Sequence, residues 1–271
     1  MGVGPRVEHS TAARSVPTAA RLQVEGETSG ISQSRSGVSS DAALFIGVVR
    51  SAPAGIAHEQ HAAPVDGDSL FRQALRQRRE IYEDLGWWHG STDEDAYDAV
   101  ADQYVIAKGG KVLASTRIVI GDPTLPLETY FPGVVDMGAT NAEISRLVSS
   151  RGIGSDNAFQ APQVKLALMV LYAKMCSDHR GLGISAYAML ERPLMNWLLM
   201  GGVSLHTLTP EPKTLSDYSD TVNYVVGIDQ DGTVAGIRAA LVSLGIREAA
   251  HPGYFDREQF DLGSGKADAV D

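Results

Sequence analysis

The chain has 271 residues, is 44% hydrophobic, carries a formal net charge of -10 and holds one cysteine, Cys176. That length supports one large domain or two small ones, and a single cysteine excludes both an intramolecular disulfide framework and a cysteine-rich metal site, which fits a reducing, cytoplasmic setting. The acidic balance disfavours non-specific nucleic-acid binding, and no apolar run reaches the length of a membrane span.

Residues 1 to about 66 are rich in Ser, Gly, Ala and Arg, have few aromatics and show weak periodicity. This reads as a largely disordered N-terminal extension, with no apolar core of a secretory signal after Arg6. One island, 42–50, is apolar enough for a short strand that docks on the domain or on a partner. Order is expected from about residue 67. Leu70, Phe71, Ala74, Leu75, Arg78, Ile81, Tyr82 and Leu85 recur at helical spacing, and Gly86 stops the helix. Trp87, Trp88 and an acidic loop with Asp93, Glu94, Asp95 and Asp98 follow; together they form either a binding lip or a core cap beside a solvated loop.

The segments 104–108 and 112–120 read as a hairpin turned at Gly109 and Gly110, with Arg117 inside its second strand. A loop over 123–132 contains Phe131. The stretch 142–154 then starts as a strand and ends in a glycine loop aimed at a helix. Ile144, Leu147 and Val148 favour a strand, but Glu143 and Arg146 put two charges in it. Residues three apart on a regular strand face opposite sides, so these two meet one pocket only across a bulge.

A largely apolar helix is expected over about 159–178, with Cys176 a buried small side chain. Further on come a strand over 184–190, a helix over 193–200 and strands over 203–209 and 221–228. A last helix covers about 235–244, and a flexible acidic tail runs from 251 to 271. The order gives a mixed α/β (α+β) chain around a central sheet. No metal-ligand spacing, P-loop or nucleophile triad appears. Arg146, Arg151, Lys165, Lys174 and Arg180 form a local positive excess, which suits a phosphate or an acidic carrier protein, or is a solvated face. A charged strand leading into a helix N-terminus suits acyl transfer from a phosphopantetheine thioester, with Glu143 taking the proton of an attacking amine.

The segment Glu143-Ile-Ser-Arg146 resembles the Glu-x-Ser-Arg motif of the acyl-homoserine lactone (autoinducer) synthases and the related N-acyl amino acid synthases. Arg78, Tyr82, Trp88, Asp95, Asp98, Arg117 and Phe131 fall in the order of that family's marks, and the likeness covers about 68–230. Tyr82 stands where the family has Phe, and the spacings from Asp98 to Arg117 and from Phe131 to Glu143 are shorter. The segment around Glu191, Arg192 and Pro193 is more similar to the N-acyl amino acid synthases, which favours an amino acid or another amine over S-adenosylmethionine as acceptor.

The resemblance implies a GNAT-like acyltransferase domain over 67–250, bacterial, with a mixed, mostly antiparallel sheet splayed at a V-shaped cleft and helices on both faces. It implies Glu143 and Arg146 as catalytic. An ion network of Arg78, Asp95, Asp98, Arg117, Glu143 and Arg146 would line the acceptor pocket, with Tyr82, Trp88 and Phe131 as its aromatic surface. Leu147, Val148, Ser149, Arg151, Gly152 and Gly154 would meet the acyl donor and its phosphate. The same charges would also hold the first helix on the sheet. No cofactor is expected to be resident; acyl carrier protein or coenzyme A brings the acyl group, and a small amine accepts it. A rival use of the fold is non-catalytic ligand binding.

Overall fold

The computed structural model describes residues 44–49, 67–87, 92–121, 124–136, 140–149, 162–209, 211–218, 220–260 and 262. The chain divides into two units, Met1–Gly37 and Val38–Asp271, and every described residue lies in the second.

Its strands are β1 (Leu44–Val49), β2 (Ala101–Lys108), β3 (Lys111–Ile120), β4 (Thr140–Ser149), β5 (Ile184–Glu191), β6 (Ser204–Thr207), β7 (Lys213–Leu215), β8 (Thr221–Asp229) and β9 (Gln259–Phe260). They form one sheet in the order β6-β8-β5-β4-β3-β2-β1-β9, with β7 also paired to β8. Of the pairs, only β4 with β5 is parallel. Gly109 and Gly110, at φ 56° and 72°, make the tight turn between β2 and β3 that the sequence predicts.

Four helices flank the sheet: α1 (Gly67–Asp84), α2 (Pro162–His179), α3 (Arg192–Met200) and α4 (Gln230–Ser243). Helix α1 buries Leu70, Phe71, Ala74 and Leu75 against Val105, Ala107 and Val112 on one face. Helices α2, α3 and α4 share a single core on the other, with Ile46, Tyr104, Ile106, Ile144 and Ala188. Helix α2 is buried at every position from Ala167 to Cys176, because it lies between the sheet and α4. A helix apolar all round has no solvent side to spare, and its sequence shows that.

The sheet extends past the expected limits of 67 and 250 at both ends. The island of the N-terminal extension is β1, paired with β2 from Phe45↔Ala107 to Val49↔Gln103. The segment after 251, expected to be a flexible tail, instead packs as far as Phe260. Tyr254, Phe255 and Phe260 are buried, and β9 pairs with β1. Aromatic burial outweighs the acidic, glycine-containing composition that suggested fraying. The strand expected over 203–209 is shorter, and β7 is an addition. No described helix is long and apolar enough to cross a membrane.

One irregularity positions everything that follows. Strands β4 and β5 pair from Thr140↔Ile184 to Glu143↔Tyr187 and then part, although β4 runs on to Ser149 and β5 to Glu191. Beyond Glu143 the two strands diverge as the arms of a V, and among the described residues the β5-facing edge of β4 has no ladder partner.

Candidate active site

The V begins at a bulge. On β3, Ser115 pairs with Val148 and Arg117 with Ser145, so two steps on β3 answer three on β4. The extra residue falls at Arg146, whose φ of 59° is left-handed. A left-handed non-glycine residue carries strain of about 1–2 kcal/mol. It also resets the side-chain alternation, so Arg146 reaches Asp95 on the face that carries Arg117, and Glu143 and Arg146 both line the cavity there.

Arg117 on β3 is the centre of the charged wall and is 0% exposed. Its Nη1 donates to Asp95 Oδ1 at 2.5 Å and to Asp98 Oδ1 at 2.9 Å, and its Nε to Ser145 Oγ at 3.2 Å. Among the described residues, its buried Nη2 has no hydrogen-bond partner. Asp98 receives Arg78 bidentately, at 2.7 Å and 2.5 Å, and Gln103 Nε2 at 2.9 Å. Burial would push the Asp98 carboxyl up, but Arg78 and Arg117 outweigh it and hold it below the usual carboxylate range. Asp95 bridges outward: its Oδ2 accepts from Arg146 Nη2 at 3.3 Å, and the Arg146 guanidinium lies 5.3 Å from the centre of the Tyr82 ring.

Among the described residues, ion pairs therefore join Arg78, Asp95, Asp98, Arg117 and Arg146. Glu143, expected in that network, is in none of these pairs. It is 2% exposed and its Oε2 accepts from the Leu127 backbone N–H at 2.6 Å. Burial pushes its carboxyl up from 4.5 to about 7, against the pull of the Leu127 hydrogen bond and of Arg117 and Arg146.

Of the expected pocket residues, Tyr82, Arg117, Glu143, Arg146 and Leu147 line the cavity; Arg78 and Asp98 support it from behind. Phe131 does not line it. It is buried with Leu125, Leu127 and Val225, and Lys213 Nζ lies 4.9 Å from its ring centre. Trp88, Arg151, Gly152 and Gly154 lie outside the described residues. Val148 and Ser149 are buried at the end of β4.

Among the described residues, Trp87 joins Tyr82 in the aromatic wall. Gly86, at φ 72°, ends α1 and turns the chain so that the Trp87 N–H donates to the Tyr82 carbonyl at 2.7 Å. Trp87 then meets Tyr82 and Tyr218 edge-on at 5.5 Å and 5.6 Å.

Glu191, named above only for its segment's likeness, also lines the cavity, as do Tyr172, Tyr218 and Asn223, which were not singled out in the sequence. Tyr172 is one of the run of buried positions in α2, and Tyr218 ends a single 3-10 turn, Ser216–Tyr218, too short to show periodicity. Neither carries a local signal. Leu127 was also missed, since it acts through its backbone. Burial pushes the Cys176 thiol up to about 12, consistent with a packing residue. Among the described residues, no group of His, Cys, Asp and Glu is arranged to hold a metal ion.

No protein-family model matches the chain, and no curated protein sequence does. Solved structures do match it. The AHL synthase LasI superposes with a TM-score of 0.51 at 16% identity, over 72% of this chain and 96% of LasI. BjaI, a CoA-dependent acyl-homoserine lactone synthase solved with SAM and isopentyl-CoA, gives 0.51 at 15% identity, over 68% and 83%. TofI, in a ternary complex with an inhibitor and MTA, gives 0.50 at 16% identity, over 72% and 95%. The fold is thus that of the acyl-homoserine lactone synthases, with a mixed, mostly antiparallel sheet whose β4 and β5 part beyond Glu143.

Proposed function

We propose that this protein is an N-acyltransferase that moves an acyl group from a phosphopantetheine thioester, on acyl carrier protein or coenzyme A, to the amine of an amino acid. The observation that carries the reading is Glu143: a buried carboxylate with its pKa near 7, at the point where β4 and β5 part. A general base works best when its pKa lies near the working pH.

The thioester would lie along the β5-facing edge of β4, past Leu147, Val148 and Ser149, where backbone N–H groups of that edge would meet a polarised carbonyl. The loop with Arg151, Gly152 and Gly154 would meet the donor's phosphate. The acceptor's amine forms a C–N bond to the thioester carbon while its proton passes to Glu143, directly or through one water. The tetrahedral intermediate collapses, the C–S bond breaks and the thiol leaves. The unpartnered Nη2 of Arg117 supports an acceptor that carries an oxygen anion, such as a carboxylate, and Arg146 adds charge beside it. The reaction is proposed to run in the cytoplasm.

A second reading keeps the fold and the donor but takes S-adenosylmethionine as acceptor. The aromatic wall of Tyr82, Trp87 and Tyr218 favours it, because rings stabilise a nearby cation. The test is thiol release from acyl-CoA and acyl carrier protein thioesters with a panel of amino acids and S-adenosylmethionine. Turnover that Glu143→Ala abolishes supports acyl transfer, and mass spectrometry of the product separates the acceptors. Full activity in Glu143→Ala, or tight ligand binding without product, would overturn it.

A further inference from the structure

The cavity does not stay on one face of the sheet. Glu143 and Ser145 line it from the face that carries Arg117. Ile144 and Leu190, which point the other way, line it too and belong to the core beneath α2. A residue and its strand neighbour point to opposite faces, and both border one space where the edge of their strand is open. That opening is the V-shaped gap between β4 and β5, and the space passes through it.

Its two ends differ in chemistry. The charged end holds Arg117, Glu143 and Arg146. The far end holds Ile144, Leu190, Leu194 and Tyr172, all apolar but for one phenol. A thioester in the gap would meet its acceptor at the charged end and direct its acyl chain into the apolar one.

We infer that Tyr172 closes that far end and limits the donor to short acyl chains, an inference that rests on the acyl-transfer reading. Tyr172 is 1% exposed, and it is the residue of α2 that lines the cavity. The ring cannot swing aside. Its neighbours on α2, Leu168, Leu171 and Met175, are all fully buried, and α4 backs the helix with Ile237 and Leu241. The cavity measures about 110 Å3. Pockets that enclose a long apolar ligand run to roughly 300–1,000 Å3. Space for a long chain would have to come from the volume that Tyr172 fills.

The experiment is calorimetric binding of S-alkyl-pantetheine thioethers, from S-butyl to S-dodecyl. These share the arm of both donors and cannot react. Where a tunnel is open, each added methylene strengthens binding by about fourfold. In the wild type this gain should stop after short chains. In Tyr172→Ala and Tyr172→Leu it should continue to longer ones, while Tyr172→Phe keeps the wild-type break because the ring remains. The leucine variant covers the case in which the alanine cavity prevents folding. A wild-type affinity that climbs steadily to S-dodecyl, or a break that stays fixed in the leucine variant, overturns the inference alone. Failure of every thioether to bind overturns it together with the acyl-donor reading.

Discussion

Glu143 and Arg146 stand three residues apart on one strand and line the same cavity, because Arg146 occupies the extra position of a bulge with a left-handed backbone. The carboxylate is held by the Leu127 N–H, and the guanidinium by Asp95 and the Tyr82 ring. Two oppositely charged groups thus face one space while each has its own partner. That leaves the carboxylate able to change its proton.

The first prediction concerns that proton. The base form of Glu143 grows as pH rises through about 7, so turnover should rise with pH and level off above it. Glu143→Gln keeps an oxygen for the Leu127 N–H but cannot take a proton. Its rate should fall by about 100- to 10,000-fold and lose the rise. Steady-state rates from pH 5.5 to 9 check this, and an unchanged profile in the variant would remove Glu143 as the base.

The same shift affects stability. A carboxyl raised from 4.5 to about 7 binds its proton more tightly in the folded state. Its contribution is fully present below pH 4.5 and is lost as pH rises through 7, by roughly 3 kcal/mol in all. Glu143→Gln should lack this loss. Urea denaturation should show the variant gaining on the wild type as pH climbs from 5 to 8.

Arg146 gives an inverted ranking. In an ordinary strand, glycine is less stable than alanine. At a left-handed position glycine is free of the strain, so Arg146→Gly should be more stable than Arg146→Ala by about 1 kcal/mol. Both lose the guanidinium, and both should lose turnover. Thermal melts of the pair decide it; the usual order would mean that the bulge is not left-handed in solution.

Asp98 and Asp95 separate support from function. Asp98→Ala leaves Arg78 and Arg117 buried without their shared carboxylate, a change that costs about 3–5 kcal/mol and lowers the melting midpoint by roughly 10 °C. Asp95 is one-fifth exposed, so Asp95→Ala should cost far less stability. It removes one of the groups that hold Arg146, however, and should weaken acceptor binding. A melt and a KM on each variant distinguish the two.

Much of this was legible in the sequence. The helix of α1 follows from apolar residues at helical spacing, the β2–β3 turn from two adjacent glycines, and the depth of α2 from an unbroken apolar run. The motif residues were legible as a set, because charge inside strand-forming sequence is rare without a reason. The alternation argument made a bulge the condition for Glu143 and Arg146 to meet in one pocket. Local preference determined these features, and local preference is what a sequence carries directly.

The tertiary structure decided the rest. Only the pairing of β4 with β5, and its end at Glu143↔Tyr187, shows that the sheet opens there. Only packing shows that Glu143 leaves the ion network for the Leu127 backbone, that Trp87 joins the wall, that Phe131 turns to the core and that Tyr172 reaches the gap. The chain ends followed the same rule: β1 and β9 form because they meet each other and β2 across the fold. Each of these outcomes depends on partners far apart in the chain. The free energy that selects them comes from contacts that no short stretch of sequence contains.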